Sequence, residues 1–261
     1  MSLHTKINGL KEVWKFDNRW SLMLTKTLFP GEKLHIYRYK GIELLNDHAA
    51  GDANGARDVL LSPMYRRFFS QMKFDGAINV LDLGANNGGF PLLLKAEGLK
   101  LKKVVSVELN PKTFSRLRFN LERNLNGKII ALNAALCGEG GWLEVSLGAG
   151  STADNIYEIG EGSRGEKYRI KGLTFDEIYA EYFENETIDI CKIDVEGAEF
   201  EVLSEPAHQN LANCRYLIME IHEGENRSAA AILPALDKLG FVLSSEPTAD
   251  SVYFFRNSKL T

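Results

Sequence analysis

Four short stretches combine residue types and spacings suited to chemistry. The first is VLDLGANNGGF, residues 80–90, where Asp82 stands just before Gly84, Gly88 and Gly89. Glycine lets a chain turn sharply and lets backbone N–H groups come close to a ligand. The second is Glu108, which closes an apolar run 24 residues beyond Gly84. A carboxylate in that place can accept hydrogen bonds from both hydroxyls of a ribose. The third is IDICKIDVEGAEFEVL, residues 188–203, an apolar run ending in Asp194 with Glu196 and Glu199 beyond it. The fourth is MEIHEG, residues 219–224, which holds Glu220 and His222. Charges at the end of an apolar run are costly to bury unless they are paired or used.

The chemistry can be narrowed. A dinucleotide turn needs G-x-G-x-x-G, with the second glycine bare against the pyrophosphate. Here Asn86 holds that place. Asp82 would repel phosphate but pair with an ammonium group. A nucleoside joined to an amino acid meets both conditions, and S-adenosylmethionine is such a compound. A βα turn without a ligand is the plain alternative for the glycines, and a solvent-facing acid is the alternative for Glu108. Asn133 and the backbone of Ala134 are placed to bond an adenine edge, although turn chemistry accounts for Asn133 equally well. Period-two alternation sets Asp194 with Glu196, and Glu220 with His222, on common sides of their strands. If these strands pair, about 4.8 Å apart, the acids and the imidazole converge at one edge. Asp194, Glu220 and His222 could then ligate a divalent ion; no metal is favoured, because acids also cluster without one. Lys192 reads as a charge partner of these acids.

The elements that must position these groups follow from patterning. From residue 77, strands at Asn79 to Leu83, Lys103 to Val107, Ile129 to Leu132, Ile188 to Ile193 and Tyr216 to Ile221 alternate with helices. The helices run from Gly89 to Glu97, from Asn110-Pro111, from Thr174 to Tyr182 and from Arg227 to Leu239. Asn110 and Pro111 make an N-cap and a first helical position, and Thr174 with Glu177 a capping box. Trp142 to Leu147 predicts an extra strand, and Phe241 to Ser244 and Val252 to Arg256 two more. Residues 148–172 read as a long loop, in which Arg164 and Lys167 either help to close over a substrate or face solvent. Before residue 77, Leu34 to Tyr39 and Ile42 to Leu45 predict a hairpin turned at Gly41. The polar stretch HAAGDANGARD and a helix from Leu60 to Met72 follow, with Tyr65, Arg66 and Arg67 as candidates for a pocket wall. Alternating apolar strands and helices imply a parallel α/β sheet covered on both faces, with ligands at the carboxyl ends of its strands.

Composition narrows the partners. The 261 residues are 44% hydrophobic and 25% charged, with a formal net charge of −4. That argues against a polyanionic partner, so no nucleic acid is expected. No apolar run reaches the ~18 residues of a membrane span, and no membrane partner is expected. Three widely spaced cysteines form no CxxC pair, which fits the reducing cytoplasm.

The strings VLDLGANNGGF, VELNP, NAAL, LTFDEI, KIDVEGAEFEVL and EIH follow one another in the order seen in the FkbM-type methyltransferases, and residues 77–256 resemble that family. KIDVEGAE is the most specific string. The resemblance implies a Rossmann-like class I methyltransferase fold: a mostly parallel seven-stranded sheet with the last strand antiparallel, helices on both faces, and a small N-terminal addition. It implies S-adenosylmethionine as cofactor, S-adenosylhomocysteine as product, and transfer to a hydroxyl of a sugar, polyketide or similar small-molecule or glycan acceptor. The cofactor role carries over to Asp82, Gly84, Ala85, Asn86, Gly88, Phe90, Glu108 and Leu109, with Asn133, Ala134 and Asp194 beside them. Residues 77–261 become the cofactor-binding domain, and residues 1–76 a candidate cap over the acceptor. His222 is the first candidate for the base that takes the acceptor proton, and Asp194 the second. The alternatives are a hydrogen-bonded strand-end histidine and, for Asp194, a cofactor-ammonium partner or helix cap. Asn87 and Gly89-Phe90-Pro91, with Pro91 near the first turn of the helix, and TFDE in place of a TLDD-like string depart from the family pattern. Two other functions stand beside this one. Asn86 and Asp82 argue against a nicotinamide-dependent oxidoreductase, and the acid-rich edge against a non-catalytic cofactor-binding partner protein.

Overall fold

The computed structural model describes residues 12–50, 52, 55–147, 166–203, 208–224 and 227–261. Its N-terminal part contains helix α1 (Arg19–Leu28), the hairpin β1 (Leu34–Tyr39) and β2 (Ile42–Asp47), and the short helices α2 (Ala56–Leu61) and α3 (Arg66–Phe69). The helix expected from Leu60 to Met72 is thus divided. Pro63 disfavours helical backbone at the residue before it, and Ser62 is extended, with ψ 146°.

The main sheet is built from β3 (Ile78–Leu83), β4 (Leu101–Glu108), β5 (Lys128–Leu136), β6 (Gly141–Leu147), β7 (Glu166–Leu173), β8 (Ile188–Ile193), β9 (Cys214–Glu220), β10 (Phe241–Ser245) and β11 (Val252–Asn257). Between them lie α4 (Gly89–Ala96), α5 (Pro111–Asn124), α6 (Phe175–Tyr182), α7 (Glu199–Val202) and α8 (Ala229–Leu239). The strand order is β10-β11-β9-β8-β3-β4-β5-β7-β6. Strand β11 runs antiparallel to both its neighbours, as expected of the last strand.

The seven expected strands are present, β6 is the extra strand expected at Trp142 to Leu147, and β7 joins it to the sheet. Residues 166–172 fall within the expected loop. Instead they pair in parallel with β5 and antiparallel with β6. Only Ile170, Gly172 and Leu173 of this strand are buried, and its exposed Lys167, Arg169 and Lys171 hide the strand in a charged stretch. Residues 148–165, which include Arg164, lie outside the described residues.

Every residue of β3 is buried, as a strand covered on both faces requires. One face packs Leu81, Leu83, Val105 and Leu217 against Ile178 and Phe183. The other packs Val80, Val104 and Ile218 against Leu92, Leu117 and Phe254, and the same cluster takes in Leu22, Tyr37, Ile42, Leu44 and Phe68. The N-terminal part therefore shares a core with the sheet. Phe68 stacks on Phe254 at 5.0 Å between centroids.

A two-stranded ribbon is marginal alone. Here asparagines hold it. On α5, one turn apart, the Asn120 amide pairs with Leu45 N–H and C=O at 2.7 and 3.1 Å. Asn124 does the same with Glu43 at 2.7 and 2.6 Å. On the outer side of β1, Asn18 accepts from Arg38 N–H at 2.9 Å and donates to Ile36 C=O at 2.8 Å. Beneath them the buried Asp52 accepts from Arg116 at 2.6 and 2.8 Å. The caps of α5 by Asn110 and of α6 by Thr174 and Glu177 form as expected.

Candidate active site

The site begins where β3 turns into α4. Gly84 has φ +73°, and a Cβ there would lie 1.6 Å from the carbonyl oxygen of Asp194. Asp194 N–H in turn donates to Leu83 C=O at 3.0 Å. The tips of β3 and β8 touch, and only glycine fits between them. Gly84 and Ala85 N–H both donate to Val107 C=O, at 3.1 and 2.9 Å. Asn86 takes left-handed backbone with φ +48°, which asparagine tolerates better than most residues. Glu108 steadies this turn: its carboxylate accepts from Asn86 N–H at 2.9 Å and from Asn110 N–H at 2.7 Å.

Above the turn lies a cavity of about 690 Å³. Its sheet side is formed by Gly84, Ala85, Asn86, Phe90, Glu108, Leu109, Ala134, Lys192, Asp194, Glu196 and Glu220, among others. Of the residues expected to bind cofactor, eight are thus on its wall. Asp82, Gly88 and Asn133 are not among the wall residues, and neither is His222. Asp82 is the register partner of Lys192 on β8 and is fully buried beside it. Gly88, at φ +93°, sits under Leu117 and Leu121. Asn133 lies inside β5 rather than past its end, and its amide donates to the carbonyls of Glu108 and Leu109, each at 2.9 Å.

The opposite wall comes from the N-terminal part: Gly55, Ala56, Asp58, Val59, Ser62 and Tyr65, with Glu12 and Lys15. Asp250 adds to it. A cap from residues 1–76 is expected from the sequence, but of these wall residues only Tyr65 is named there. Gly55 in HAAGDANGARD was the wall's one signal. A Cβ on Gly55 would meet Asn86 Oδ1 at 2.6 Å, and one on Gly89 would meet Ala56 Cα at 2.5 Å. Arg66 and Arg67 stay off the wall. Arg66 binds Glu97 and the carbonyls of Leu60 and Ser62.

Two charge groups occupy the tips of β8 and β9, which pair in parallel. In the first, Lys192 Nζ lies 3.0 Å from Asp194, 3.6 Å from Asp82 and 3.2 Å from the Gly84 carbonyl. Burial alone would lower the lysine; Asp194, Tyr65 and Asp82 hold its ammonium well above the ordinary value. Burial pushes the Asp82 carboxyl up to about 6, against the pull of Lys192. In the second group, His222 Nδ1 donates to the buried Glu199 at 2.9 Å, and Nε2 lies 3.4 Å from Glu196 and 3.7 Å from Glu220. The hydrogen bond to Glu199 raises His222 to about 9, against burial. Burial, then the like charge of Asp194, raises Glu220 to about 7.

Asp194 caps no helix. Helix α7 starts at Glu199, and it is Glu199 that accepts from Val195 N–H at 3.1 Å. Ligand atoms of Asp194, Glu220 and His222 come within 4.8 Å of one another. Both ring nitrogens of His222, however, already face carboxylates, Glu199 and Glu196, and Lys192 already supplies positive charge beside Asp194. The donor set fits a salt-bridged cluster better than a metal centre.

A parallel sheet with an antiparallel last strand, and a cavity at the carboxyl tips where the strand order reverses, define a Rossmann-like fold of the methyltransferase class. The chain belongs to the FkbM methyltransferase family, whose domain matches residues 82–243. An FkbM methyltransferase from Methylobacillus flagellatus is 15% identical with a TM-score of 0.52, covering 74% of this chain and 47% of that one. This chain thus spans about half the length of that protein. TrmK from M. capricolum, in complex with S-adenosylhomocysteine, is 14% identical with a TM-score of 0.43, covering 76% and 70%. A methyltransferase from Pyrococcus furiosus is 13% identical with a TM-score of 0.40, covering 93% and 99%. No curated protein matches the chain.

Proposed function

We propose that this chain is an S-adenosylmethionine-dependent O-methyltransferase acting on a hydroxyl of a sugar, polyketide or similar small molecule. One observation carries the reading. A single cavity joins a turn of bare backbone, a carboxylate at the next strand tip, and a second set of acids where an acceptor would lie. Its size lies within the about 300–1,000 Å³ of small-molecule pockets. The chemistry supplied by the bound cofactor is an electrophilic methyl group. The chain's residues supply position and a proton acceptor. Gly84 to Asn86 and Glu108 hold the nucleoside end, Ala134 the base edge and Asp194 the amino-acid end. The turn presents no phosphate cradle, which supports this cofactor over a dinucleotide.

A hydroxyl is a weak nucleophile and needs a base whose pKa lies near the working pH. Glu220 lies on the cavity wall and titrates near 7. In this reading it takes the role first given to His222, which keeps its proton to about 9 and serves to hold Glu196, Glu199 and Glu220 in place. The wall carries seven carboxylates and two lysines, which favours neutral or amine-bearing acceptors over phosphorylated ones. The three cysteines are buried free thiols, in keeping with a reducing, cytoplasmic setting.

The test has two stages. S-adenosylhomocysteine raises the melting temperature and NAD does not; a shift with NAD alone overturns the cofactor. Glycosides and polyketides are then screened with labelled methyl donor. Turnover rises as pH passes through about 7, and Glu220→Gln lowers it by about 100- to 10,000-fold. Cofactor binding with no acceptor methylated would favour the non-catalytic partner protein.

A further inference from the structure

We propose that the face formed by Trp14, helix α1 and the outward side of β1 docks onto the surface of an anionic lipid bilayer. Seven of the twelve large apolar side chains exposed among the described residues lie between Trp14 and Ile36. On α1, Trp20, Leu24 and Leu28 recur every four residues, so they form one stripe along the helix. Each is at least 60% exposed, as is Phe29 just beyond. Trp14 meets Trp20 edge-on at 5.0 Å. The outward side of β1 adds Leu34 and Ile36. Monomeric surfaces rarely gather apolar side chains in this way without a partner.

Charge selects the partner. The chain as a whole is acidic, at −4, yet residues 14–40 hold six Lys or Arg against two Asp or Glu; Arg38 and Lys40 pair with Glu43 and Glu97, which leaves Lys15, Arg19, Lys26 and Lys33 as the cations of this face. Arg19 lies over the Trp14 ring at 5.4 Å, so its aliphatic stem runs along the apolar face. Tryptophans with basic residues around an apolar stripe are the composition of a helix that lies in the headgroup region. A second copy of the chain is disfavoured, because a two-fold interface would set this basic face against itself. No helix of the described residues is long and apolar enough to cross a membrane, and an interfacial helix needs no such length. The expectation of no membrane partner concerns segments that cross a bilayer, not a helix that lies on one. Trp14 also lies between Glu12 and Lys15, which line the cavity, so the docked face adjoins the site.

The experiment uses the full chain with vesicles of phosphatidylcholine mixed with phosphatidylglycerol, and of phosphatidylcholine alone. Co-sedimentation is expected with the anionic vesicles, weaker with the neutral ones, and falling with salt. The double variant Trp20→Glu/Leu24→Glu is expected to weaken it by about tenfold or more while the melting temperature holds, since both side chains are exposed. If that variant fails to fold, Lys15→Glu/Lys33→Glu, also on exposed positions, replaces it and is expected to abolish the preference for anionic lipid. Absence of binding to anionic vesicles, or binding that neither variant weakens, overturns the proposal. A dimer that sediments without lipid and dissociates in the Trp20→Glu/Leu24→Glu variant would assign the face to a second copy instead.

Discussion

In β3 every side chain is buried, and the strand is held between two parallel neighbours. In β2 burial alternates, one neighbour is a strand, and the other is a helix that offers amides. Both strands are held firmly, by different physics. The first is fixed by apolar area, which is non-directional and tolerates variation in shape. The second is fixed by hydrogen bonds of set geometry, each worth little net but costly to leave half-made. The difference teaches where this molecule will be brittle. At the sheet, trouble comes from volume; at the ribbon, from a single missing partner.

Four substitutions and conditions test that contrast, from the largest effect down. Gly84→Ala places a Cβ within the Asp194 carbonyl and demands φ +73° of a non-glycine residue. It should lower stability by more than about 4 kcal/mol and abolish cofactor binding, read by denaturant melts. A mild effect would show that the strand tips part easily. Asp52→Ala leaves Arg116 buried without its partner and should lose about 3–5 kcal/mol. Hydrogen exchange should then quicken in β1 and β2 before β3 and β8. Uniform acceleration would mean the two regions unfold as one.

Asn120→Ala strands the Leu45 backbone groups and the Asn87 carbonyl, for about 1–3 kcal/mol. The last test is set by pH. His222 is raised in the folded chain from 6.5 to about 9, so its contribution is complete below 6.5 and is lost as pH rises through about 9. The melting temperature of the wild type should fall over that interval more than that of His222→Gln. Equal slopes would show that the Glu199 contact does not persist in solution.

How legible was this in the sequence? Most strands of the sheet were, because INVLDL and IDICKI are largely apolar runs that lead into the polar groups of the site. Glu108 was too, because spacing from the glycine turn predicts it. The pairing of Asp82 with Lys192 was half visible: Lys192 was read as a partner of the acids, but register decides which one it faces. The parallel strand at 166–173 was hidden by its charged outward residues. The wall from residues 55–65 was hidden because its contacts with Asn86 and Gly89 are close backbone approaches, which leave no periodic trace. Nothing in the spacing of Asn87, Asn120 and Asn124 marks their partners. Only the fold shows that they are buried and bonded to backbone.

The asparagine contacts have one more consequence. A lone hairpin normally presents two rows of open backbone groups, and another molecule's strand can add to either and begin a growing aggregate. Here Asn18 occupies groups on one row, and Asn120 and Asn124 groups on the other. The ribbon is sealed laterally by its own chain, so it can stand at the periphery without seeding fibres.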